Sequence, residues 1–217
     1  MIQKIEAGSL EIWRQVLGMV QTNCYLVMDK ATKAAVLVDP ADNCEAIIQM
    51  QKEAGADLKG ILLTHGHFDH MMAAKAASDY FCVDLYACEQ EEELLKDVRM
   101  NCSYGMGGVP VALEAKHWVK DEEELTFESL TLQAIHTPGH TRGCMCYYFK
   151  EAGVLISGDT LFLESVGRTD LPTGNSRQII ESLKEKLMVL PENTLVLPGH
   201  GSATSIGYEK RNNPYLD

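Results

Sequence analysis

The chain has 217 residues, 46% of them hydrophobic and 23% charged, a globular balance that excludes a disordered chain. A formal net charge of -12 and a pI of about 5.0 argue against a nucleic-acid or anionic-membrane ligand, either of which calls for a basic surface. No apolar run approaches the length of a membrane span, and the N-terminal "MIQKIEAGSLEIW" lacks the apolar core of a signal peptide.

In chain order, "NCYLVMDKATKAAVLVDP" (23–40) predicts a hairpin with its turn at "DKATK". Residues 41–55 predict a helix. Asp42 is its expected cap, with Glu45 completing a capping box; Ile47, Met50 and Ala54 recur at helical spacing, and Gly55 is the expected stop. A short buried strand follows at 60–64, a helix at 70–80 and a strand at 82–87. The segment 101–110, "NCSYGMGGVP", predicts a mobile loop from its three glycines and proline. Residues 130–140 read as a strand broken at Pro138–Gly139. "CMCYYF" (144–149) and "GVLISGDT" (153–160) predict a second hairpin. Residues 175–190 predict a helix with Ile179, Ile180, Leu183 and Leu187 on its apolar face and Pro191 beyond its end. The last expected strand is 194–201. This alternation predicts an α/β (α+β) chain whose sheets are covered by helices, with residues 1–217 forming one domain.

Seven cysteines, an odd number with no C-x-x-C pair, predict a reduced cytoplasmic protein whose thiols pack as small hydrophobes. Cys144 and Cys146 fall in one expected strand.

Four apolar runs end in a tight turn followed by side chains that bind metals: "ILLTHGHFDH", "LQAIHTPGH", "VLISGDT" and "LVLPGH". The side chains delivered are His65, His67, Asp69, His70, His140, Asp159 and His200. Loops at one sheet edge converge in space even when they are distant in sequence. Imidazole and carboxylate suit zinc, and imidazole suits iron as well. Five histidines and two aspartates suffice for two ions, each with an open position.

In order along the chain, "THGHFDH" (64–70), "TPGHT" (137–141), "SGDTLF" (157–162) and "LPGHG" (197–201) resemble the motifs of the metallo-β-lactamase fold. With "NCYLV…VLVDP" and "SVGRTD" (165–170), the chain is most similar to the small glyoxalase II-like branch, the relatives of hydroxyacylglutathione hydrolase. The resemblance implies a four-layer αβ/βα sandwich with the site at one sheet edge. It implies that His65, His67 and His140 hold one divalent ion, that Asp69, His70 and His200 hold a second, and that Asp159 bridges them. Zinc is the first expectation, iron or manganese the alternatives. His136, within "HTPGH", is expected to pack or buttress instead of binding metal, and His117 to be structural.

Water held between two cations ionises near neutral pH, and the cations polarise a carbonyl, which suits hydrolysis of an acyl bond. A small-molecule thioester is the expected substrate, because a thiolate leaves readily. Asp69 is the expected catalytic residue, both holding metal and orienting the nucleophile. Arg168 either meets a substrate carboxylate or pairs with Asp170 to pin its loop, and both readings stand. Lys210 and Arg211 are expected on exposed surface. Two other functions stay open. One is an oxidoreductase resembling the persulfide dioxygenases, which use one iron and a reduced ligand set; they typically carry a cysteine shortly before Gly-Arg, where this chain has Ser165 and Val166. The other is a metal-binding or redox module without turnover. Glyoxalase II continues past its last motif into a helical glutathione-binding domain; with 17 residues after His200, none is expected here.

Overall fold

The computed structural model describes residues 2–106 and 109–216. It opens with β1 (Ile2–Ala7) and β2 (Leu10–Leu17), two strands that composition alone leaves unread. Next come β3 (Thr22–Asp29), β4 (Ala34–Val38), α1 (Cys44–Ala54), β5 (Asp57–Leu62), α2 (Phe68–Met71), α3 (Ala74–Phe81) and β6 (Leu85–Cys88). After α4 (Glu92–Lys96) and the irregular turn α5 (Ser103–Met106) lie β7 (His117–Val119), β8 (Glu124–Phe127), β9 (Leu130–His136), β10 (Met145–Phe149) and β11 (Val154–Gly158). The short strands β12 (Leu161–Phe162) and β13 (Ser165–Val166) precede α6 (Ser176–Ser182), β14 (Leu195–Pro198), β15 (Thr204–Ser205) and α7 (Ile206–Asn212).

Strands β1 to β7 form one sheet in chain order, antiparallel through β4 and parallel from β4 onward. The second sheet runs β15-β14-β11-β10-β9-β8, with β11 and β14 parallel. Their facing sides share one core, which includes Tyr25, Val36, Phe127, Tyr147 and Ile156. Ile47 and Met50 of α1 and Ala74 and Ala77 of α3 cover the outer side of the first sheet. Leu183, Leu187 and Ile206 cover the second. The result is the four-layer α/β sandwich that the motifs led one to expect. It explains why β3 and β4 are buried along their whole length: with layers on both faces, an inner strand shows continuous burial instead of alternation.

Several local expectations shift. The cap of α1 is Asn43, not Asp42. Asn43 adopts a left-handed φ of 49° and its side chain accepts the Ala46 N–H, while Asp42 accepts the N–H of Asn43. Glu45 therefore completes no capping box around Asp42. Gly55 stops the helix as expected, at φ 63°. The helix expected at 70–80 is two helices, α2 and α3, and the one expected at 175–190 is α6 continued by a wider π turn over Leu183–Leu187. Asn175 caps α6 by accepting from Arg177 and Gln178. Cys144 sits one residue ahead of β10. In the expected loop at 101–110, Ser103 is buried and bonded to Val111, whereas Gly107 and Gly108 lie outside the described residues.

This topology places one end of many strands together. The parallel strands β4, β5 and β6 end on one edge, and β3, antiparallel to β4, begins there. In the other sheet β11 and β14 are parallel, and β9 runs with β11 because each is antiparallel to β10. A bridge between Thr22 and His200 joins the two edges.

Candidate metal centre

All seven donors foreseen from sequence stand at that edge. His65, His67, Asp69 and His70 follow β5, His140 follows β9, Asp159 follows β11 and His200 follows β14. His140 Nε2 lies 3.2 Å from His65 Nε2 and 2.9 Å from His67 Nδ1. His70 Nε2 lies 3.3 Å from His200 Nε2 and 3.6 Å from Asp69 Oδ2, and His200 Nε2 is 3.3 Å from the same oxygen. Asp159 stands between the two trios: its Oδ1 is 3.4 Å from His70 Nε2 and its Oδ2 is 3.5 Å from both His140 Nε2 and His200 Nε2.

The ring orientations show what these groups fit. His140 Nδ1 donates to the Arg168 carbonyl at 2.6 Å, and His70 Nδ1 donates to Asp39 Oδ2 at 2.8 Å. Thr64 Oγ1 donates to Asp39 and stands 3.2 Å from His65 Nδ1, from which it can accept. The Nε2 atoms of His65 and His140 are thus left as lone pairs directed inward, and His70 Nε2 points inward toward the carboxylates of Asp69 and Asp159. Lone pairs facing one another at these distances repel unless a cation lies between them. Tetrahedral Zn–N bonds of about 2.0–2.1 Å put ring nitrogens about 3.3 Å apart, close to what is found. Asp159 Oδ1 is buried and makes no hydrogen bond, so it has an acceptor to spare. The residues therefore fit divalent cations, with the neutral trio His65–His67–His140 and the acidic trio Asp69–His70–His200 as the groups that could hold them.

Protonation separates the trios. Burial, with His70 and His140 nearby, holds His65 well below the usual histidine range, and burial with His140 lowers His67 to about 3. Burial opposes the charge on His200 too, but Asp159 and Asp69 overcome it and raise the ring to about 9. His70 behaves alike: Asp159, Asp39 and Asp69 outweigh burial and hold it well above its ordinary value. For Asp69, burial pushes up, yet His70 and His200 prevail and bring it to about 2.

Gly199 explains the "PGH" turn. A Cβ there would stand 2.2 Å from Asp159 Oδ1 and 2.7 Å from His70 Cε1. Gly139, at φ 144°, likewise lies against the backbone of Ile179, where a Cβ would meet the nitrogen at 2.3 Å.

A cavity of about 500 Å³ opens above the donors. Its walls include the apolar side chains of Val20, Phe68, Phe162, Val166 and Leu171, and Asp69, His67, His140, Asp159 and His200 contribute to its lining. Arg168 lines it too, but its guanidinium binds Asp170 through two contacts of 2.7 Å. Thr22 Oγ1 donates to Asp69 Oδ2 at 2.9 Å. His136 bonds to the Arg142 carbonyl, and His117 stacks on Tyr86 and pairs with Asp84. Lys210 and Arg211 are exposed on α7, and Arg211 faces Glu192. All seven cysteines are free.

Sequence reading missed Asp39, Thr22 and Thr64. Asp39 is 1% exposed and anchors both His70 and Thr64. Its one sequence signal was the strand-ending "VDP", in which a lone aspartate looks like any turn residue.

The model of the metallo-beta-lactamase superfamily matches residues 17–200. The hydroxyacylglutathione hydrolase GloC of Haemophilus influenzae is 34% identical over 199 residues, covering 91% of this chain and 93% of that protein. Two solved structures are similar over 94% of this chain and 99% of their own. They are BLEG-1 B3 metallo-beta-lactamase, at 39% identity and a TM-score of 0.90, and TTHA1623 in a di-iron-bound form, at 34% and 0.83. Among the described residues, no helix is long and apolar enough to cross a membrane.

Proposed function

The chain belongs to the metallo-beta-lactamase superfamily, and from that premise we propose that it is a thioester hydrolase of the glyoxalase II type working with two divalent cations. The observation that carries the reading is the position of Asp69. It belongs to the acidic trio and also lines the cavity where a substrate would lie.

His65, His67 and His140 would hold one ion and Asp69, His70 and His200 the other, with Asp159 reaching both. Cations bound there supply an ionised water at neutral pH and a Lewis acid for a carbonyl. The protein supplies the rest. Asp39 and the Arg168 carbonyl hold His70 and His140 in the tautomer that points Nε2 inward. The Thr22 hydroxyl fixes Asp69 Oδ2, and from there the Asp69 carboxylate would orient the ionised water toward the acyl carbon. A thiolate is a good enough leaving group that it would need no general acid from the protein. Zinc is the first choice of ion; the di-iron form of TTHA1623 supports iron as the alternative.

The cavity walls are largely apolar, and the cation among its lining residues, Arg168, is already paired with Asp170. That favours recognition of the acyl group over recognition of an anionic thiol carrier. GloC supports a thioester substrate, and the free cysteines suit a cytoplasmic setting.

The test is a substrate panel on one metal-analysed sample: one acyl group carried on glutathione, on a smaller thiol and on coenzyme A, alongside a β-lactam and a persulfide. Hydrolysis of the thioesters with little preference among carriers is expected. Turnover of the β-lactam alone, or oxygen consumption with the persulfide alone, would replace the reading with a lactamase or a dioxygenase.

A further inference from the structure

Outside the donors, a second heavily bonded buried carboxylate at this edge, besides Asp39, belongs to Glu91, which ends the single helical turn Glu89–Glu91 after β6 and is 1% exposed. Its Oε2 accepts the Gly66 N–H at 2.9 Å. Its Oε1 accepts the Thr141 hydroxyl at 2.5 Å and the Gly143 N–H at 2.7 Å. The placement of these partners is specific. Gly66 lies between His65 and His67, and Thr141 directly follows His140. One carboxylate therefore joins the two loops that carry the neutral trio, although 50 residues separate it from Thr141.

The surroundings are shaped to this group. A Cβ on Gly66 would lie 3.0 Å from Glu91 Oε2, and one on Gly143 would lie 2.7 Å from Glu91 Cγ. Both glycines leave the room that the glutamate fills. A carboxylate is also the side chain the pattern calls for. Three donors converge on it, and an amide of the same shape offers one accepting oxygen and turns its NH2 toward a donor. Burying a carboxylate is costly unless its oxygens are fully bonded, and these three charge-assisted bonds satisfy it.

We propose that Glu91 is a positioning residue that clamps the His65–His67 loop to the His140 loop and so sets the geometry of the neutral trio. In the acidic trio, His70 is held by Asp39. Asp39 also reaches the neutral trio through Thr64, which contacts His65 Nδ1, whereas the bonds of Glu91 go to the loops of the neutral trio. The inference rests on the reading of the centre as a site for two cations.

The experiment compares wild type with E91Q, T141V and T141S. Each metal-free protein is titrated with zinc against a competing chelator, and the ring nitrogen resonances of His65, His67 and His140 report which ion binds. In E91Q the ion of the neutral trio should bind ~10–100-fold more weakly, the usual effect of losing a partner behind a ligand, while the other ion keeps its affinity. T141V should weaken the same ion to a smaller degree, and T141S, which keeps the hydroxyl, should match wild type. In the metal-free E91Q protein, amide exchange at Gly66 and Gly143 should speed up. Wild-type affinity for both ions in E91Q would overturn the clamp, and so would an equal loss at both sites. If E91Q does not fold, T141V against T141S decides: equal affinities refute the proposal. A wild-type protein that takes up no second ion would fail the two-cation reading, and amide exchange would still judge the clamp.

Discussion

Gly199→Ala tests the packing of the centre with one methyl group. Gly199 has no left-handed φ, so its backbone accepts alanine, and only space forbids the side chain. The new Cβ would lie 2.2 Å from Asp159 Oδ1, whereas real Cβ contacts rarely fall below 3.0 Å. The carboxylate must therefore retreat by the difference, 3.0 less 2.2, or about 0.8 Å, and His70 Cε1 at 2.7 Å must also give way. His70 cannot move freely, because its Nδ1 is tied to the buried Asp39. A misplacement approaching 1 Å at reacting groups costs up to ~10²-fold in rate, and that fall in kcat/KM is expected here. The assay is thioester hydrolysis with metal content measured on the same sample, and thermal unfolding of the metal-free protein as control. An alanine variant with wild-type metal content and wild-type kcat/KM would refute the claim that Asp159 and His70 need this geometry.

Asp69→Asn keeps the shape and the Thr22 contact but loses the charge, so kcat should fall at least ~10²-fold with little change in folding, as steady-state kinetics and unfolding curves would show. Metal uptake should release protons. In the metal-free protein His200, raised to about 9, and His70, raised in the same direction, hold their protons at pH 7 and must lose them to bind. Calorimetry in two buffers of different ionisation enthalpy should therefore find release at pH 7 that fades as pH rises through about 9, with affinity climbing over the same interval. By the same sign, the stability that His200 gives the metal-free protein is full below its unfolded pKa of roughly 6.5 and is lost as pH passes about 9. Replacing Cys144 and Cys146 by alanine should lower stability more than turnover, since both thiols are buried and burial raises their pKa; a selective loss of activity with metal content unchanged would count against this.

The donors were legible because each stands directly after an apolar strand with a tight turn between, a pattern that survives in one dimension. What escaped was whatever depends on distant partners. Asp39 and Glu91 resemble ordinary turn and surface acids until Thr64, 25 residues away, and Gly143, 52 residues away, arrive beside them. Strand β1 escaped for another reason. It is an edge strand, half exposed, and without a buried face it carries no apolar alternation. β7 and β8 span three and four residues, too short for a period to show. At α1 two adjacent residues could cap; Asn43, at a left-handed φ of 49°, brings its side chain to the Ala46 N–H, whereas Asp42 accepts the N–H of Asn43.

The account stands most directly on the dependence of thioester hydrolysis on bound metal. Metal-free protein, titrated with zinc and assayed at each step, should gain activity until two ions are bound per chain, because both trios and the shared Asp159 face one cavity. Activity that is complete at one ion per chain, or that persists without metal, would contradict it.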